Sequence, residues 1–343
     1  MKILNIGDLH ANWNWPYSRL DVNGLPTRVN DLLNVLGQVE RILVGRDVET
    51  LVLGGDIFHR RHFISFRLYN AIYRALERLT ERVVETIIVP GNHDFEDGVE
   101  HALYPLKHLP NTTLVEQAEQ IDILGGVATF IPFHPDPAVM VKAFDAAESE
   151  FMVFSHYAAE GVELESDYWL EAPLKLGELG RFPRVFFNHV HKPSVQRNYR
   201  VVYVGAPMHF DFGDVGSRGG VLIDDHGYER VTFTAPVFVT SKWPKLPVAP
   251  PEGGYLRIVA VPKEKLEEAQ HAAKGLGWLD AVPLPAEIVP EVEKSIMTAL
   301  AGGQAISEEL LRQRVRAKCP ELSADEQAQM VELGMYLYRQ ASR

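Results

Sequence analysis

Five short stretches of the chain share one layout, an apolar run followed closely by aspartate, histidine or asparagine. "NIGDLH" ends on Asp8 and His10, "GGDIFH" carries Asp56 and His59, and "PGNHD" carries Asn92, His93 and Asp94. Further along come "FSHY" with His156 and "FFNHVH" with His189 and His191. Six of the 13 histidines (10, 59, 93, 156, 189 and 191) therefore stand just past an apolar run. Ligands of open α/β sheets gather outside the carboxyl ends of the strands. Two divalent ions roughly 3.5–4 Å apart can clamp a phosphoryl group and activate a water between them. Such a pair needs a bridging carboxylate, for which Asp56 is the candidate, while imidazoles and an amide oxygen fill the other positions without adding negative charge. With Asp8 and Asp56 as the only anionic ligands, two divalent cations leave the site about two units positive, which suits an anionic phosphodiester. Nitrogen and oxygen donors without sulfur favour Mn²⁺, Fe²⁺ or Zn²⁺ over Mg²⁺ or Ca²⁺. One such stretch alone reads as an ordinary turn. Five in the same placement predict a dinuclear metal site.

The elements that must position these residues are legible up to about residue 235. Strand candidates lie at 2–6, 50–55, 86–91, 127–133, 151–156, 184–189, 201–206 and 219–225. Most are continuous apolar runs, the pattern of strands buried on both faces. Between them, 28–43 and 65–83 show helical spacing, with Leu68, Ile72, Ala75, Leu76 and Leu79 on one face of the second. The fold class is α/β. A Pro- and Gly-rich stretch at 243–254 marks a linker or domain edge. A strand–helix–strand unit follows, and the chain reads as helical from Pro290 onward. The expected domains are 1–240, 250–286 and 287–343.

Bulk properties narrow the function classes. The 343 residues are 46% hydrophobic and 23% charged, as in a soluble globular protein. No run is long and apolar enough for a transmembrane helix, and "MKILNIGDLH" does not read as a signal peptide. The single cysteine, Cys319, excludes an internal disulfide and a thiolate-rich zinc site, which points to a reducing, cytoplasmic setting. A net charge of −12 argues against free-standing non-specific binding to nucleic acid. It leaves a nuclease open, because bound ions and a local basic patch override the average.

The motif series from Asp8 to His191 resembles the calcineurin-like metallophosphoesterases, and within them most resembles the SbcD-type nuclease subunit of DNA double-strand-break repair complexes. Protein Ser/Thr phosphatases carry "GDxxDRG", whereas Asp56 here begins "DIFH" and places His59 where the nucleases have theirs. "YVGAPMHFDFGD" (203–214) resembles a second nuclease segment. The resemblance implies a two-sheet β-sandwich flanked by helices, a small α/β capping domain and C-terminal helices that bind a coiled-coil, SMC-like ATPase of the SbcC type. It assigns Asp8, His10, Asp56 and His191 to one ion, and Asp56, Asn92, His156 and His189 to the other. His93 becomes the proton donor or transition-state stabiliser, oriented by a neighbouring carboxylate, Asp94, and His59 contacts the scissile phosphate or positions a DNA end. A homodimer is expected on the same ground. The chain departs from the family pattern at Asn188, where glycine is usual; asparagine tolerates positive φ better than most residues.

The leading expectation is thus a Mn²⁺-dependent DNA nuclease acting with an ATPase partner. A small-molecule or phosphoprotein phosphoesterase with the same two ions is the rival, and a non-catalytic scaffold is a third reading. Arg60, Arg61 and the stripe Arg67, Arg74, Arg78 and Arg82 read either as a track for a phosphate backbone or as a solvated face. Trp13 and Trp15 read either as base-stacking groups or as packing. The 323–340 helix reads either as core or as a partner-docking face.

Overall fold

A computed structural model describes residues 2–59, 63–96, 100–123, 126–162, 172–196, 198, 200–285 and 308–318, with 324, 327, 328, 330, 331, 334 and 335. The chain resolves into two compact units. The first comprises residues 1–12, 31–209 and 213–235; the second comprises 13–30, 210–212 and 236–343.

Two six-stranded mixed sheets build the first unit. One has the order β12-β11-β1-β2-β3-β4, with β1 at Ile3–Ile6, β2 at Thr50–Leu53, β3 at Glu85–Ile88, β4 at Thr112–Leu114, β11 at Gly219–Asp224 and β12 at Gly227–Thr232. The other has the order β5-β6-β7-β8-β10-β9. Its strands are β5 at Glu119–Ile123, β6 at Gly126–Ile131, β7 at Met152–His156, β8 at Val185–Asn188, β9 at Ser194–Gln196 and β10 at Val201–Tyr203. β1, β2 and β3 run parallel, in register through Ile6↔Leu53 and Leu53↔Ile88. β7 and β8 are also parallel and end together at His156↔Asn188. Both sheets therefore deliver strand carboxyl ends, and the loops beyond them, to the site.

Between the sheets lies a core of side chains from both, including Ile3, Val52, Ile87, Phe130, Phe154, Phe186 and Val221. Phe154 stacks between Phe130 and Phe186, with ring centroids 5.0 Å and 5.1 Å apart. Helices α1 (Thr27–Gly45), α2 (Phe66–Thr80), α3 (Pro137–Ala146) and the short α4 (Leu176–Leu179) accompany the strands. The expected apolar face of α2 is buried at Leu68, Ile72, Ala75, Leu76 and Leu79. α3 starts where Asp136 accepts a hydrogen bond from Ala138 N at 2.9 Å and Pro137 occupies the first turn, a sequence-legible start.

In the second unit, β13 (Val237–Lys242), β14 (Gly254–Val261) and β15 (Asp280–Pro285) form a parallel three-stranded sheet with α5 (Leu266–Gly275) connecting the last two. Leu256, Ile258, Ala269, Ala273 and Trp278 make its core. Helix α6 spans Glu308–Lys318. Most of the expected 287–343 segment lies outside the described residues. No helix among the described residues is long and apolar enough to cross a membrane.

Candidate metal centre

The seven residues expected as ligands all leave from the carboxyl ends of β1, β2, β3, β7 and β8. Their backbones turn sharply there. Asp8 (φ 53°), His10 (φ 45°), Asp56 (φ 51°) and His189 (φ 95°) all sit in the left-handed region that side chains rarely adopt. Strain of this kind collects at functional sites, where surrounding structure over-determines it. Cross-links between loops supply that constraint: Asp8 N donates to Gly55 O at 2.9 Å, His10 N to Asp56 O at 2.7 Å, and His189 N to the Asp8 carboxylate at 3.1 Å.

Ligand atoms converge in two clusters. In the first, Asp8, His10 and His191 come together, with the Nε2 atoms of His10 and His191 3.0 Å apart. In the second, Asp56, His156 and His189 meet, and the Asn92 amide oxygen lies 3.1 Å from His156 Nε2 and 2.9 Å from His189 Nδ1. Asp56 joins them, its Oδ2 lying 3.4 Å from both His10 Nε2 and His156 Nε2. This is the position a bridging carboxylate needs. A donor set of carboxylates, imidazoles and one amide oxygen, buried at Asp8, His10, Asp56 and His156 and partly open at Asn92, His189 and His191, with nitrogens crowded at contact distance, fits a pair of divalent ions.

Supporting contacts fix the ligand orientations. His156 Nδ1 donates to Gly54 O at 2.7 Å, which sets the tautomer and presents Nε2 to the cluster. Arg218 donates to the carbonyl of His191 and pairs with Asp214 at 3.2 Å, both side chains being buried. Sequence reasoning missed Arg218, although Asp214 lies in the 203–214 segment it singled out. Gly91 is required because a β-carbon there would overlap Asp56 Oδ1.

Electrostatics follow from burial and from carboxylate–imidazole pairing. Burial alone would raise Asp56, but the His156 and His10 imidazoles outweigh it and hold the carboxyl well below its ordinary range. Burial would likewise lower His156, yet Asp56 and then Asp8 lift it to about 9. Burial depresses His189 to about 3 and His10 well below the usual imidazole range.

Two placements correct the sequence expectations. Asp94 does not orient His93. Its buried carboxylate accepts from the backbone N–H groups of Asp56 (2.8 Å), Ile57 (3.0 Å) and Gly91 (2.9 Å), so it anchors the Asp56 loop. His93 is instead oriented by the carbonyl of His59, which accepts from Nδ1 at 2.7 Å. At Asn188, positive φ is not the issue, because that residue ends β8 and the left-handed position is His189. His59 stacks on His93 (centroids 5.1 Å apart, planes at 19°), and its Nδ1 lies 3.3 Å from His10 Nδ1. Trp15 is 6% exposed and stacks on Phe210, Trp13 is half-buried, and Arg60 and Arg61 lie outside the described residues. Arg78 and Arg82 both pair with Glu40 of α1, at 3.8 Å and 3.0 Å.

The calcineurin-like phosphoesterase family matches residues 1–203, a span that holds every one of these ligands. The chain belongs to that family. It is accordingly a metal-dependent phosphoesterase, with two sheets flanked by helices and a small third sheet. Among solved structures, an archaeal phosphodiesterase is 15% identical, covering 68% of this chain and 100% of its own at a TM-score of 0.38. Yfce, a phosphoesterase from E. coli, is 13% identical, covering 68% of this chain and 93% of its own at a TM-score of 0.35. No curated protein matches the chain.

Proposed function

We propose that this phosphoesterase is a phosphodiesterase that cleaves its substrate at a dinuclear centre held by Asp8, His10, Asp56, Asn92, His156, His189 and His191. When bound, the two ions would polarise the phosphoryl oxygens and supply an activated water. The observation that carries the reading is the His59–His93 pair packed against the ligand His10. Because His93 Nδ1 is committed to the His59 carbonyl, Nε2 is the nitrogen that can hand a proton to the departing oxygen. His59 and His93 are partly buried, as are the proposed ligands Asn92, His189 and His191, so the pair shares the open side of the cluster with them, while Asp8, His10, Asp56 and His156 are buried.

A narrower reading is a DNA nuclease working with an SMC-like ATPase as a homodimer. Its support lies in the sequence, in "DIFH" with His59 and in the 203–214 segment. A substrate panel separates the two. Purified protein with Mn²⁺ is offered nitrophenyl mono- and diesters, cyclic nucleotides, and linear and single-stranded DNA. Diester hydrolysis, lost in Asp56→Asn, is expected. DNA cleavage would select the nuclease, and monoester activity alone would overturn both readings.

A further inference from the structure

Asn188 carries an inference that the ligand set does not. It stands at the carboxyl end of β8 in the second sheet, is 1% exposed, and its Nδ2 finds no hydrogen-bond partner among the described residues. The amide lies against two glycines of the first sheet. A β-carbon built on Gly54 would overlap its Oδ1, and one built on Gly7 would overlap its Nδ2. Gly7 follows β1 and directly precedes Asp8; Gly54 follows β2, precedes Gly55 and Asp56, and provides the carbonyl that orients His156. The side chain thus fills the gap between the sheets directly behind the centre. Asp8, His10, Asp56 and Asn92 come from one sheet, and His156, His189 and His191 come from the other.

We propose that Asn188 is a positioning residue, a wedge matched to Gly7 and Gly54 that sets the separation of the two sheets at their ligand-bearing ends and so the affinity of the centre for its ions. The proposal rests on the dinuclear centre proposed above. Burying an amide NH₂ without a partner is unfavourable, so Asn188 at this position fits a role in spacing better than one in stability. Gly54 and Asn188 form a reciprocal pair, since whichever side chain is enlarged takes the room of the other.

Mn²⁺ titration calorimetry of the full chain tests this, with electron paramagnetic resonance of the loaded protein reporting the coupling of the two ions. Asn188→Gly should weaken Mn²⁺ binding by roughly 10-fold or more, the usual scale for groups that support ligands, and reduce the coupled-pair signal. Gly54→Ala should weaken it further. Adding Asn188→Gly to Gly54→Ala should restore affinity to the level of Asn188→Gly alone, which an unfolded or generally damaged variant could not show. Native-like binding by Asn188→Gly, or a double variant no better than Gly54→Ala, would overturn the wedge while leaving the centre intact. If the native chain bound none of Mn²⁺, Fe²⁺ and Zn²⁺, the centre itself would fall and the wedge with it.

Discussion

At the scale of single residues, the proposed centre divides the labour between ligands and a proton carrier. His93 is held through Nδ1 by the His59 carbonyl, so His93→Ala should remove one proton delivery without removing a ligand. The expected outcome is a kcat drop of roughly 10²–10⁴-fold with Mn²⁺ stoichiometry unchanged, read from steady-state kinetics and metal analysis. Loss of bound ions in that variant would reassign His93 to the ligand set. His156 supplies a second test. In the metal-free protein Asp56 and Asp8 outweigh burial and raise its pKa to about 9, so at pH 7 it carries a proton that a cation at Nε2 must expel. Mn²⁺ uptake should therefore release a proton from this residue, and affinity should climb with pH until about 9. Calorimetry in buffers of different ionisation heat measures it, and identical heats in all buffers would contradict it.

At the scale of elements, the uninterrupted apolar strands were legible and the edges were not. The runs at 2–6, 50–55, 86–91 and 184–189 mark β1, β2, β3 and β8, because strands buried on both faces need an uninterrupted apolar stretch. Three of the runs overshoot at their carboxyl ends, where β2 stops at Leu53, β3 at Ile88 and β8 at Asn188. His189 lies in such an overshoot and Asp56 directly after one, both with left-handed backbone, a change that hydrophobicity does not encode. β4 "TTL", β5 "EQIDI", β9 "SVQ" and β12 "GYERVT" lie at sheet edges, are short or polar, and carry no such signal. That these residues would converge was legible because their types are unusual after apolar runs. The roles of Asp94 and Arg218 were not, since each acts through backbone groups distant in sequence. The phenylalanine stack yields an element-level prediction. Phe154→Ala should destabilise the metal-free protein by about 3–5 kcal/mol, read from urea unfolding; a change within error would mean that the sheets do not depend on that layer.

At the scale of the whole molecule, ions held at the proposed centre would stabilise the fold, because its candidate ligands come from both sheets. Ions that bind the folded chain and not the unfolded one add stability by mass action, about 2.7 kcal/mol for one site at a free concentration 100 times Kd. Chelation should lower the Tm, and Mn²⁺ should restore it; a Tm indifferent to both would show that the sheets hold their register without help. The sheet order has a further consequence for synthesis on the ribosome. β1 pairs with β2 on one side and, antiparallel, with β11 on the other, through Ile3↔Ile223. His191 completes the ligand set well before Gly219–Asp224 is made. A nascent chain can therefore hold all its ligands while one edge of β1 is still bare, an edge open to pairing with a neighbouring chain. Pairing with β11 is what ends that exposure, so β1 would gain its second neighbour on a site whose ligands are already in place, and β12 then becomes the edge.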